Sequence, residues 1–208
     1  MKIVLLGATG KTGSRIQAEL LSRGHHLIAV ARDISKLKPS PGVTHAQSDL
    51  SDPNQIAEIV GAADAVVSAY GPPLDDTDQL VSVTQRVMQA VKQTGTRLIV
   101  VGGAASLEVA PGVTLLDSGH LPEAWKAIAI SHARLLEILK SSNIDWTYFS
   151  PAAFFEPGER TGKFRLGKDQ LITDAHGTSR ISLEDYAIAL VDELEKPAHR
   201  RQRFTIGY

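Results

Sequence analysis

Runs of four to six mostly apolar residues alternate along the chain with longer stretches whose apolar positions recur every three or four residues. The short runs (2–6, 26–31, 43–47, 65–68, 97–101 and 146–150) read as strands, the first of the kind buried on both faces and the second buried too. Between them, Ile16, Leu20 and Leu21 mark a helix over 14–23, and 34–37 reads as a helical turn. Asp52 followed by Pro53 opens another helix, as N-cap and first helical residue. Leu80, Val83, Val87 and Val91 line one face of a helix over 78–94, and 122–142 returns to helix. This alternation predicts right-handed crossovers and an α/β fold, a doubly wound parallel sheet in the order 3-2-1-4-5-6.

The pattern weakens over 107–121, which reads as an irregular excursion, and again in the last quarter. There 151–158 reads as loop, and 163–173 alternates around Gly167-Lys168-Asp169 like a hairpin. Ser182-Leu-Glu-Asp185 is a capping box for a helix through Glu195, and 203–206 reads as a final edge strand. The expected organisation is a single domain over 1–208, with 151–180 as a small substrate-side cap.

The first strand ends in Gly7-Ala-Thr-Gly10-Lys-Thr-Gly13, and a helix follows. In that setting Gly7 turns the chain sharply, Gly10 lets backbone approach a pyrophosphate, and Gly13 lets the helix lie close on the sheet. The amides of the helix start then face the ligand's charge, with Thr9, Lys11 and Thr12 beside it. Gly10-Lys11-Thr12 also matches the end of a nucleoside-triphosphate loop, but that motif needs glycine where Leu5 stands. A dinucleotide is the expected ligand.

Composition narrows the function by exclusion. At 43% hydrophobic and 22% charged residues with net charge −1, nothing favours nucleic acid or an anionic membrane. Without cysteine there is no thiolate metal site and no thiol nucleophile. No apolar stretch reaches membrane-spanning length, and Met1-Lys2 leads directly into the first strand, so a cytoplasmic monomer or homodimer acting on a small molecule is expected.

Gly-Ala-Thr-Gly-Lys-Thr-Gly, Val-Ala-Arg-Asp (30–33), Ser-Asp-Leu (48–50) and Ser-His-Ala-Arg (131–134) together resemble the atypical short-chain dehydrogenase/reductases. Ser-Pro-Ala-Ala-Phe (150–154), Glu-Pro-Gly-Glu-Arg-Thr-Gly (156–162) and Ser-Arg-Ile-Ser-Leu-Glu-Asp-Tyr-Ala (179–187) extend the resemblance over nearly the whole chain. Within that group the chain is most similar to NAD(P)H-binding proteins called NADH-flavin reductases and to flavin/biliverdin-IXβ reductases. The resemblance implies a Rossmann fold with NADPH as cofactor, NADH use remaining open. Arg32 and Lys36 would hold the 2′-phosphate, while Asp33 offers the alternative of an NAD ribose contact. Asp49 and Leu50 would bracket the adenine; a turn or N-cap role is the alternative for Asp49. Backbone at Ala69, Tyr70 and Gly71 would pass the adenine ribose and diphosphate. Gly102, Gly103, Pro151 and Ala152 would lie along the nicotinamide.

Classical members of that group carry Tyr-x-x-x-Lys on the helix after the fifth strand. If His132 stands in place of the lysine, Ile128 stands in place of the tyrosine, and no proton donor remains. The serine at the end of the fifth strand is also missing, since Ser106 comes late. Reduction of a carbonyl needs that acid, whereas a free flavin such as FMN, or a quinone, delocalises the charge and takes its proton from water. His132 is the expected catalytic residue, bonding a ribose hydroxyl or polarising the acceptor, with a helix-surface histidine as the alternative. Trp125, Phe154 and Phe155, with Tyr70, form an apolar slot for the acceptor or are core. Arg160, Thr161 and Lys163 reach an acceptor phosphate or are solvated charges. The expected activity is hydride transfer from NAD(P)H to a flat conjugated acceptor. The competing expectation is a non-catalytic NAD(P)-sensing regulator of the NmrA-like type; an epimerase or dehydratase on a nucleotide sugar is set back by the lost acid/base pair.

Overall fold

The computed structural model describes residues 1–37 and 39–208; Lys38 and the side chain of Lys36 lie outside the described residues. The parallel strands are β1 (Lys2–Leu6), β2 (His26–Ala31), β3 (Val43–Gln47), β4 (Ala65–Ser68), β5 (Arg97–Val101) and, after a two-strand hairpin β6 (Glu108–Ala110) and β7 (Val113–Thr114), β8 (Trp146–Ser150). The helices between them are α1 (Lys11–Ser22), α2 (Pro53–Val60), α3 (Gln79–Thr94) and α4 (Glu123–Lys140). The carboxy-terminal part adds β9 (Phe154–Glu156), β10 (Arg165–Gly167), β11 (Arg180–Ser182), α5 (Leu183–Glu195) and β12 (Gln202–Gly207).

Among the described residues the main sheet has eight strands in the order 10-12-8-5-4-1-2-3. Its first six parallel strands follow the expected doubly wound order. Alternation along β1 shows why both faces are covered. Val4 and Leu6 pack with residues of α2, α3 and α4, while Ile3 and Leu5 pack with residues of α1 and α5. The second core is anchored by aromatic stacking, with Phe149 between Tyr186 (4.1 Å) and Phe204 (4.0 Å). Capping follows the sequence: Asp52 accepts from the Asn54 amide, and Ser182 accepts from that of Asp185.

The expected hairpin over 163–173 does not form. β10 instead pairs antiparallel with β12, with Leu166 opposite Ile206. The returning segment bonds to Glu108 through the Asp169 carbonyl and the Leu171 amide, and Ile172 packs over Gly167 and Gly207. An alternating pattern marks an extended segment but does not choose its partner. Consequently β12 is not the edge strand: it lies between β8 and β10, and Phe204 and Ile206 are buried. The 151–158 loop contains β9, paired parallel with β11, and the 107–121 excursion contains the β6–β7 hairpin.

Candidate active site

The strand order reverses between β1 and β4, where an open α/β sheet leaves a crevice at its carboxyl ends. The glycine loop sits there. Gly7 has φ +79°, and a Cβ on it would lie 2.4 Å from the Ala69 carbonyl oxygen. A Cβ on Gly13 would lie 2.1 Å from the Gly7 carbonyl oxygen, so α1 can start this close to β1 only with glycine at that position. Thr9, Gly10 and Lys11 are exposed, and Thr12 is half-buried. α2 and α5 have N-cap side chains that accept from their first turns, whereas α1 has glycine as its N-cap and no side-chain cap; like α2, its first turn carries no acidic side chain. Its first amides are left for an external anion, which fits a dinucleotide diphosphate.

Arg32, Gln47, Ser48 and Asp49 open onto one recess of about 780 Å³ at the carboxyl ends of β2 and β3. Asp33 caps the turn that follows, accepting from the Ser35 amide (3.0 Å) and hydroxyl (2.6 Å). Arg32 is exposed towards the recess. Lys36 ends that turn, and its side chain lies outside the described residues. Asp49 accepts from the Ser51 amide, and its bonds to Ser51 hold its carboxyl below the usual carboxylate range. Leu50 is buried at φ +63°, a left-handed conformation costing a leucine about 1 kcal/mol or more. It is held there by the Ser48 hydroxyl on its amide (3.1 Å) and Arg86 Nε on its carbonyl (2.7 Å). Its side chain belongs to the core cluster that includes Leu6, Val30 and Ile56.

After β4, Ala69 lies under Gly7, and Gly71 has open space where a side chain would begin. The Tyr70 hydroxyl donates to Gln79 (3.1 Å), and burial pushes its pKa up. The end of β5 is closed by two side chains standing on glycines. The Tyr148 ring covers Gly102, where a Cβ would come within 2.4 Å of it, and the His132 ring covers Gly103, where a Cβ would come within 3.0 Å. The Tyr148 hydroxyl accepts from the Gly103 amide (3.0 Å) and lies 3.1 Å from His132 Nδ1. Burial pushes the His132 pKa down to about 4 and that of the Tyr148 hydroxyl well up. Tyr148 had no motif to reveal it; in the sequence it is one more aromatic in an apolar strand.

Ile128 is half-buried against the core, and the Ser106 hydroxyl accepts from Arg203 (3.3 Å). Pro151 and Ala152 are buried directly after β8. Trp125, in the first turn of α4 (56% exposed), and Phe154, the first residue of β9 (60% exposed), present bare rings. Phe155 points the other way, its ring 4.7 Å from that of Tyr186 in the core, so the structure does not bring it into a slot with Phe154. Two of the three expected phosphate contacts, Arg160 and Thr161, are otherwise engaged. Arg160 pairs with Glu19 (2.9 Å), and Thr161 donates to Asp185 (2.5 Å). A recess of about 1410 Å³ between α4, the β6–β7 hairpin and β10 shares no lining residue with the glycine loop. Among the described residues there is no cluster of metal-binding side chains, and no helix is long and apolar enough to cross a membrane.

A model of the NAD(P)H-binding family matches residues 7–197. The uncharacterized protein YwnB of Bacillus subtilis is 39% identical over 211 residues, covering 99% of this chain and 98% of that protein. A crystal structure from Bacteroides thetaiotaomicron, named a candidate epimerase, is 44% identical with a TM-score of 0.92, covering 100% of this chain and 96% of that one. A Streptococcus pneumoniae structure, named a candidate NADH-flavin reductase, is 34% identical with a TM-score of 0.89, covering 100% and 99%.

Proposed function

The chain belongs to the NAD(P)H-binding family, and from that premise we propose that it is an NADPH-dependent reductase of flat conjugated acceptors such as free flavins or quinones. The reading is carried by one observation: the positions expected to hold an acid hold Ile128 and a His132 whose Nδ1 faces Tyr148. When bound, the dihydronicotinamide supplies two electrons and a proton as hydride. The first turn of α1 holds the diphosphate, Arg32 meets the 2′-phosphate, and His132 bonds the nicotinamide nucleoside. Trp125 and Phe154 offer apolar surface on which an aromatic acceptor stacks. Water then protonates the reduced acceptor.

The name carried by the Bacteroides structure suggests epimerisation, but moving a proton on and off a sugar carbon requires a paired acid and base. Ile128 supplies neither. The deciding measurement is steady-state NADPH oxidation with FMN, riboflavin and a quinone, with an aliphatic ketone as control. Turnover is expected with the aromatic acceptors and not with the ketone. Tight NADPH binding with turnover at the uncatalysed rate would replace the reductase by a redox sensor.

A further inference from the structure

Three polar groups surround the Tyr148 hydroxyl, and each constrains the others. The Gly103 amide, 3.0 Å away, can only donate. The His132 carbonyl oxygen, 3.2 Å away, can only accept. His132 Nδ1, at 3.1 Å, can do either, depending on where the ring carries its proton. A phenol has one proton to give and two lone pairs to offer.

Giving the phenolic proton to the carbonyl leaves both lone pairs for donors, and Nδ1 must then carry a proton. All three contacts are satisfied in that arrangement. Giving the proton to Nδ1 instead would leave two oxygens 3.2 Å apart with no proton between them. Tyr148 is fully buried, so water does not relieve such a contact. The packing leaves little freedom to choose another geometry, because the two rings are seated against Gly102 and Gly103.

We infer that Tyr148 is a positioning residue that fixes His132 as its Nδ1–H tautomer, so that Nε2 presents a lone pair to a hydrogen-bond donor on the nicotinamide nucleoside. The second part rests on the reductase reading above. Among the described residues Nε2 has no protein partner, and it is absent from the buried unpaired atoms, so it remains open to a ligand. The depressed pKa of the ring keeps it neutral at pH 7, as a lone-pair donor requires. His132 thus accepts a bond in the site and gives no proton to the acceptor.

The test begins with the cofactor-free protein. Two-bond proton–nitrogen spectra of histidine-labelled protein at pH 7 report the tautomer of each of the seven rings, and His132→Gln identifies the His132 signals. The expected pattern is a protonated Nδ1 and a bare Nε2. In Tyr148→Phe the preference for Nδ1–H is lost, and NADPH affinity by calorimetry falls about fivefold, the share of one neutral hydrogen bond. A wild-type His132 protonated on Nε2 overturns the inference, whether or not the phenylalanine variant folds. So does a folded Tyr148→Phe that keeps both the tautomer and the affinity. Wild-type protein showing the Nδ1–H pattern without binding NADPH upholds the Tyr148–His132 lock and refutes the cofactor reading instead.

Discussion

Replacing His132 with glutamine removes a titratable ring that folding holds neutral. In the unfolded chain that ring titrates near 6.5; burial in the folded protein lowers it to about 4. The sign follows from the direction. Between those values the unfolded chain binds the proton and the folded protein does not, so protonation favours unfolding. This contribution to stability is present above pH 6.5 and is lost as the pH falls towards 4. At pH 5 the difference amounts to about 2 kcal/mol, an upper value because the half-buried ring retains some contact with water. Urea unfolding at pH 7.5 and pH 5 measures it directly. The wild type should lose about 2 kcal/mol more than His132→Gln between the two conditions, since every other titrating group is common to both. Equal losses would mean that the ring is not held neutral by the fold.

Two further substitutions test other parts of the structure. Arg32→Ala should weaken NADPH by about thirtyfold or more while leaving NADH within about twofold, as calorimetry would show, because the lost charge-assisted bonds serve only the 2′-phosphate. Equal losses for both coenzymes would remove Arg32 from that role. Glu193 is buried at the other end of the sheet, where it meets Arg97 (2.5 Å), His199 Nδ1 (2.8 Å) and two amides. Burial alone would raise its pKa, but His199 and Arg97 outweigh it and hold the carboxyl below its usual range. Glu193→Ala strands a buried guanidinium and should cost about 3–5 kcal/mol in urea unfolding; a loss under about 1 kcal/mol would show that the cluster relaxes into water.

The parts of this fold that were legible in the sequence are those where local chemistry fixes the structure. Gly7 and Gly13 sit where no other residue fits, and Asp52-Pro53 and Ser182 cap their helices as their side chains dictate. Five of the six expected strands are apolar runs because a parallel strand inside the sheet is covered on both faces, while β3, at the sheet edge, is half-exposed. What escaped depends on distant partners. β9, β10 and β11 have only three residues each and pair with segments distant along the chain, as Arg180 does with Phe154 and Arg165 with Gly207. The same applies in the site. His132 could be singled out from its motif, but Tyr148 comes beside it only through the register of β8 on β5, which sets it opposite Val100 and near Gly102 and Gly103. A phenol buried in a strand carries no local sign that its hydroxyl belongs to a histidine on another element.

The absence of an acid can be weighed by the basicity of the product it would have had to protonate. Reduction of an aliphatic ketone leaves an alkoxide, about as basic as hydroxide, whose conjugate acid has a pKa of about 16, like bulk water. Released without a proton at pH 7, it lies about 12 kcal/mol above the alcohol. A reduced quinone leaves a phenolate, with a conjugate acid near 10 as for tyrosine, and the same gap shrinks to about 4 kcal/mol. The side chains at the end of β5, where the proposal puts the nicotinamide, do not close the larger gap. His132 is neutral at pH 7, its Nδ1 facing Tyr148, and the hydroxyl of Tyr148 is buried with its proton directed at a backbone carbonyl. Ile128 has no proton to give. The difference of about 8 kcal/mol between the two products corresponds to roughly a millionfold in rate where it is carried into the barrier. On the proposed reductase reading, acceptors would be selected by what they can do with an electron pair before water arrives, and ring systems that spread the charge meet that condition.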